Sequence, residues 1–255
     1  MLRSLASKKG LARVCAFLAL MGITSIVNTY SGGARAAALP FVAIQRIIVV
    51  DPGHGGIDGG TAGAGLVEKN LTLAISRRVK FYLEGTGFVV KMTRETDVDA
   101  SQLFPSALSR RHKRDLQNRL DFIRQARAVG SLSIHVNSSS NLRDRGPIVF
   151  YDVHSEAGME LARNCQEAAN RVAGSSQRPV GRKNLFIIRH APCPAVLVEV
   201  GFLTNQTDSV RLRDPQYLDQ MARAVAVAAA QTLRSAPVPP PYVKGTAVND
   251  WVPPV

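Results

Sequence analysis

The sequence is short of cysteine, aromatics and acidic residues. Three cysteines (Cys15, Cys165, Cys193) among 255 residues are too few and too scattered for a disulfide framework or a cysteine-type zinc site. Aromatics make up 6%, with no stacking motif of the RNA-binding kind, so no nucleic-acid partner is expected. The single-helix metal motif His-Glu-x-x-His is absent, and so is the Gly-Lys-Ser/Thr of a phosphate loop. Acidic residues number 19 against 32 Lys and Arg, a net charge of +13. Such a balance suits a polyanionic partner such as an anionic membrane or a cell-wall polymer. What is present, 45% hydrophobic and 20% charged residues, excludes wholesale disorder, collagen and coiled coil. One core of roughly 200 residues, hence one domain, is the expectation.

Residues 1–39 read as a targeting segment. Arg3, Lys8, Lys9 and Arg13 precede the apolar run Val14–Val27 (VCAFLALMGITSIV). Its 14 residues fall short of the ~20 of a membrane span and suit a signal peptide. Ala34-Arg35-Ala36 offers a small-x-small cleavage site, and an uncleaved N-terminal membrane anchor is the alternative. Either way the domain is expected outside the cytoplasm. The other 216 residues hold 27 basic and 19 acidic side chains, still +8. The last 20 residues, 236–255, contain six prolines and read as a flexible tail bearing the lone Trp251.

Between them, residues 40–235 alternate strand and helix patterns. Ile47–Val50 is a β-branched run of the kind buried on both faces. Leu71, Ile75, Val79 and Leu83 recur every four residues and predict a helix ending near Gly85 and Gly87. Further strands are predicted at 88–93, 131–136, 148–153, 185–189 and 195–200. Helices are predicted at 109–128, 156–173 and 215–234. The alternation predicts an α/β fold, a mostly parallel twisted sheet of about six strands with helices on both faces.

Four residues stand out from this frame. His54 lies in the glycine-rich loop after the first strand, Asp51-Pro52-Gly53-His54-Gly55-Gly56. Glycine brings the backbone, and so the imidazole, to the carboxyl edge of the sheet, where α/β ligand sites lie. Glu68 opens the first helix, where a carboxylate alone would be an ordinary dipole partner. His135 ends the strand Ser133–Val136 and points away from Ile134 and Val136. Glu199 sits inside the apolar run Leu197–Val200, costly unless paired, metal-bound or protonated. Two imidazoles and one carboxylate form a common ligand set for catalytic zinc, and a second carboxylate can serve as general base.

The stretches IVVDPGHGGIDGG (48–60), VEKNLTLAISRRV (67–79), VVKMTRETD (89–97), RHKRDLQNRL (111–120), SIHVNS (133–138) and PAVLVEVGFLTN (194–205) together resemble the zinc-dependent N-acetylmuramoyl-L-alanine amidases of the Amidase_3 family. The resemblance implies a hydrolase of the amide between N-acetylmuramic acid and L-alanine in peptidoglycan. It implies one Zn²⁺ per chain on His54, Glu68 and His135, with Glu199 as the catalytic glutamate. The 184–194 stretch and the short 138–146 connection are similar to the sporulation- and germination-linked branch. That branch implies action on spore cortex, an activating lipoprotein and a deacetylase working on the same polymer. The rival readings are another zinc peptidase of cell-wall peptides and a non-catalytic wall-binding protein. Arg94 is expected in an ion pair, Asn137 beside the site and Cys193 in packing. The basic helix at 109–128 is expected to face either the anionic wall or solvent.

Overall fold

A computed structural model describes residues 45–99 and 111–243. The leader, residues 100–110 and Trp251 lie outside the described residues. Eight strands are present among those described: β1 Ile47–Pro52, β2 Ala62–Gly63, β3 Leu66–Val67, β4 Val89–Met92, β5 Gly130–Asn137, β6 Ile148–Asp152, β7 Val180–Arg182 and β8 Ala195–Phe202. The helices are α1 Glu68–Glu84, α2 Arg111–Gln125, α3 Glu156–Ala173, α4 Phe186–His190, α5 Gln206–Arg211 and α6 Pro215–Leu233. Six strands form one sheet in the order β4-β1-β5-β8-β6-β7, parallel throughout except for the β6–β8 pair. This is the expected α/β architecture.

The two faces of the sheet differ, and the difference builds the site. Ile48 and Val50 of β1, Leu132, Ile134 and Val136 of β5, and Val196, Val198 and Val200 of β8 join the larger core, with α1, α3 and α6. Alternate residues point the other way. Near the start of the strands that second face is apolar, with Val49 packed on Ile123 of α2 and Ile187 of α4. Toward the carboxyl ends it turns polar, through Asp51, Ser133, His135 and Glu199. Register makes neighbours of Asp51 and Ser133, and of His135 and Glu199.

Three elements differ from expectation. Residues 185–189, predicted as a strand, fold mostly into α4; the sixth strand is β7, which pairs with β6. A short β-branched run has no decisive period of its own, and burying Ile187 against Ile123 wins. The loop before Glu68 contains a small hairpin, β2–β3. Asn205, whose side chain accepts from Asp208 N, caps the unpredicted α5. Past the predicted boundary at 235, packing continues to Tyr242. Arg46 donates to the Ala236 carbonyl, Arg127 to that of Pro239, and Arg124 lies over the Tyr242 ring. Among the described residues, no helix is long and apolar enough to cross a membrane.

Candidate metal centre and its acid–base partner

The structure brings His54, Glu68 and His135 together. Glu68 Oε1 lies 3.1 Å from His54 Nε2 and 3.0 Å from His135 Nδ1. Among the described residues, one donor atom from each lies within 4.8 Å of the others. Two ligands at ~2.0–2.1 Å from a tetrahedral ion sit ~3.3 Å apart, so the cluster is of the right size and donor chemistry for one zinc. Glu68 is 4% exposed and held by backbone, since Val136 N donates to Oε1 and Thr61 N to Oε2. Burial alone would raise its pKa, but the two imidazoles hold the carboxyl well below the usual range. It is therefore anionic and aimed. Asp58 Oδ2 stands 3.0 Å from His54 Nδ1, where it sets the ring and favours its charged form. His54 is raised against the effect of burial by Glu68 and Asp58. The same negative surroundings favour a divalent cation, which must displace the proton from the imidazole to bind.

Glu199 reaches the same place from β8. It is one register step across from His135. Burial pushes its pKa up to about 7, with Glu68 adding to the rise and the imidazoles opposing it. Its Oε2 is buried with no hydrogen-bond partner in the protein. An orphaned carboxylate oxygen in a cleft is costly for the fold and useful for proton transfer.

Close approach explains the glycines. A Cβ on Gly53 would lie 2.3 Å from the His135 ring. Gly60 combines φ +66 with a Cβ position 2.5 Å from Glu68 Oε2. Gly53→Ala should displace His135. The expected outcome is at least ~10-fold weaker metal binding with the fold retained, measured by chelator competition and circular dichroism. Unchanged affinity would show that the ring can yield.

Two buried arginines hold the His54 loop. Arg94, 3% exposed, donates to the carbonyls of Pro52, Gly53, Lys69 and Thr96 and to Thr72 Oγ1. The expected ion pair is thus replaced by a set of carbonyls, because loop oxygens leaving the sheet need donors. Arg119, also 3% exposed, donates to Asp51, Asp115 and the carbonyls of Pro52 and His54. Neither Arg119 nor Asp58 carries a local sequence signal that marks it as part of the site. One cation of the basic helix therefore faces inward, and Arg111 pairs with Asp99.

Other expectations resolve simply. Asn137 follows a register irregularity after His135, and its Oδ1 accepts from Ser138 N, so it caps the next loop. Cys165 and Cys193 are free and buried, with burial pushing both thiols up to about 12. His190 packs on Phe186 at 4.9 Å.

Comparison with known proteins places the chain in a family. The family model described as N-acetylmuramoyl-L-alanine amidase matches residues 48–231. The germination-specific N-acetylmuramoyl-L-alanine amidase of Bacillus subtilis is 34% identical over 181 residues, 71% of this chain and 76% of that protein. The B. subtilis amidase LytC is 32% identical over 184 residues, again 71% of this chain but 34% of its own length. Among solved structures, the CwlD amidase of Clostridioides difficile, in complex with the GerS lipoprotein, is similar at a TM-score of 0.70 and 28% identity, covering 74% of this chain and 99% of that one. The chain belongs to the N-acetylmuramoyl-L-alanine amidase family.

Proposed function

We propose that this chain hydrolyses the amide between the lactyl group of N-acetylmuramic acid and L-alanine of the stem peptide, using one Zn²⁺ held by His54, Glu68 and His135. The observation that carries the reading is the orphaned Glu199 carboxylate one register step from a His-Glu-His cluster. When bound, zinc polarises a carbonyl and makes water acidic enough to ionise near neutral pH. Glu199 takes the proton of the attacking water. It then returns a proton to the alanine nitrogen as the C–N bond breaks, leaving a lactyl carboxylate and a free stem amine. Glu68, anionic and tied to two backbone N–H groups, keeps both imidazoles aligned. Asp58 orients His54.

The wider setting follows the relatives. Residues 1–39 serve export or anchoring, 40–235 catalysis, and 236–255 form a tail whose residues up to Tyr242 pack back on the catalytic domain. Action is extracytoplasmic, on spore cortex during maturation or germination. The named germination-specific relative and the CwlD–GerS complex support that setting and a lipoprotein partner. A deacetylase on the same polymer completes the proposal.

Mass spectrometry of digested peptidoglycan tests the activity. Free stems beginning at L-alanine are expected. Stems cut internally would favour a peptidase, and an unaltered digest a wall-binding role. Cortex should be cleaved faster than vegetative wall, most of all with the lipoprotein present. Equal rates would remove the cortex assignment.

A further inference from the structure

Past the carboxyl ends of β5 and β8 lies a cleft of ≈570 Å³, lined by Leu142, Arg143, Arg145, Thr204, Asn205 and Gln206 among others. Its two rims continue the strands that carry His135 and Glu199. One rim is the loop after β5; the other follows β8. Arg145 lies three residues before Ile148, which is the register partner of Glu199. At no more than ~3.5 Å per residue, the cleft begins within ~10–17 Å of Glu199, the span of three to five extended residues.

The loop is fixed rather than loose. Ser139 N donates to Thr204 Oγ1 at 3.0 Å, and Asn205 Nδ2 to the Leu142 carbonyl at 2.7 Å. Gly146 N and Phe202 N both donate to Asp208 Oδ2, and Gln177 Nε2 donates to the Arg145 carbonyl. The nearby acids are already engaged. Asp144 accepts from Ser139 and Asn141, and Asp208, 2% exposed, is turned inward onto the Gly146 and Phe202 N–H groups through Oδ2, its Oδ1 buried without a partner. Neither the Arg143 nor the Arg145 side chain has an acidic partner among the described residues. A preorganised polar cleft with two exposed, unneutralised guanidiniums is a receptor for carboxylate.

We propose that this cleft binds a free carboxylate of the stem peptide, on a residue beyond the scissile amide, and so selects carboxylated over amidated stems. The proposal rests on the amidase reading. An ester or glycan hydroxyl would leave both charges without a partner; a carboxylate matches their planar forks.

The test compares soluble muramyl-peptides that differ in one group, each stem carboxylate being free or converted in turn to its amide. The purified chain should show kcat/KM at least ~10-fold higher for the free acid at one defined position. In R143Q/R145Q that ratio should fall toward one, and in R143E/R145E it should invert. Thermal melting checks that both variants are folded. Release of L-alanine stems with no preference in the wild type, or a ratio that survives charge reversal, would overturn the carboxylate site and leave the amidase reading standing. Failure to cleave any muramyl-peptide with zinc and the lipoprotein supplied would overturn both.

Discussion

Glu199→Gln should lower turnover of peptidoglycan by ~10²–10⁴-fold or more while leaving the fold and the metal content of the protein unchanged. The amide of Gln fills the same space but cannot take a proton. The buried, unpartnered Oε2 gives no structural reason for the carboxylate. The substitution should even stabilise the metal-free protein at high pH. Glu199 has a folded pKa of about 7, above its ordinary 4.5. A raised pKa means that the folded state holds the proton more tightly than the unfolded one. Its contribution is fully present below about pH 4.5 and is lost as pH rises through about 7. Relative to wild type, the variant should therefore gain progressively, up to ~3 kcal/mol, as pH rises through those limits, read by denaturant unfolding of metal-free protein at several pH values. Neighbouring groups such as Glu68 titrate in both proteins and largely cancel. Residual activity within ~10-fold of wild type would place the proton transfer elsewhere.

Arg119→Ala should cost ~3–5 kcal/mol of stability. The guanidinium bridges Asp51 and Asp115 at 2.7 and 2.6 Å and holds the Pro52 and His54 carbonyls. Asp51 is 1% exposed; burial would raise its pKa, and Arg119, with Thr93 and Ser133, holds it low instead. Without Arg119 a buried carboxylate is left uncompensated. For a domain of this size the melting temperature should drop ~6–20 °C. Arg119→Lys keeps one charge but not the fork, so it should recover part of the stability while metal affinity stays reduced, because His54 loses its carbonyl anchor. A loss below ~1 kcal/mol in the alanine variant would show that Asp51 is satisfied by Thr93 and Ser133 alone.

Three of the four principal side chains were legible because each breaks a local rule, whereas Glu68, an ordinary acid at a helix start, gained meaning only beside the other three. A histidine in a glycine loop, an acid in a valine run and a histidine ending a buried strand are visible one residue at a time. Parallel topology was legible for a similar reason, since continuous β-branched runs such as Ile47–Val50 demand cover on both faces. Arg119 and Arg94 broke no such rule. On a helix with five Lys and Arg, nothing distinguishes the one arginine that turns inward onto β1. Its role exists only once β1 places Asp51 beneath α2. Asp58 was hidden likewise, since an acid among glycines reads as a turn until the chain folds back on His54. Residues 185–189 show the limit of periodicity, because FIIR suits strand or helix and only the position of Ile123 decides.

Every proposed step depends on a metal ion at His54, Glu68 and His135. The purified domain should bind one zinc per chain by elemental analysis, and the single substitutions His54→Ala, Glu68→Ala and His135→Ala should each abolish that stoichiometry, whereas Glu199→Gln should keep it. A folded wild-type protein that takes up no zinc, or ligand variants that bind it as well as the wild type, would contradict the site.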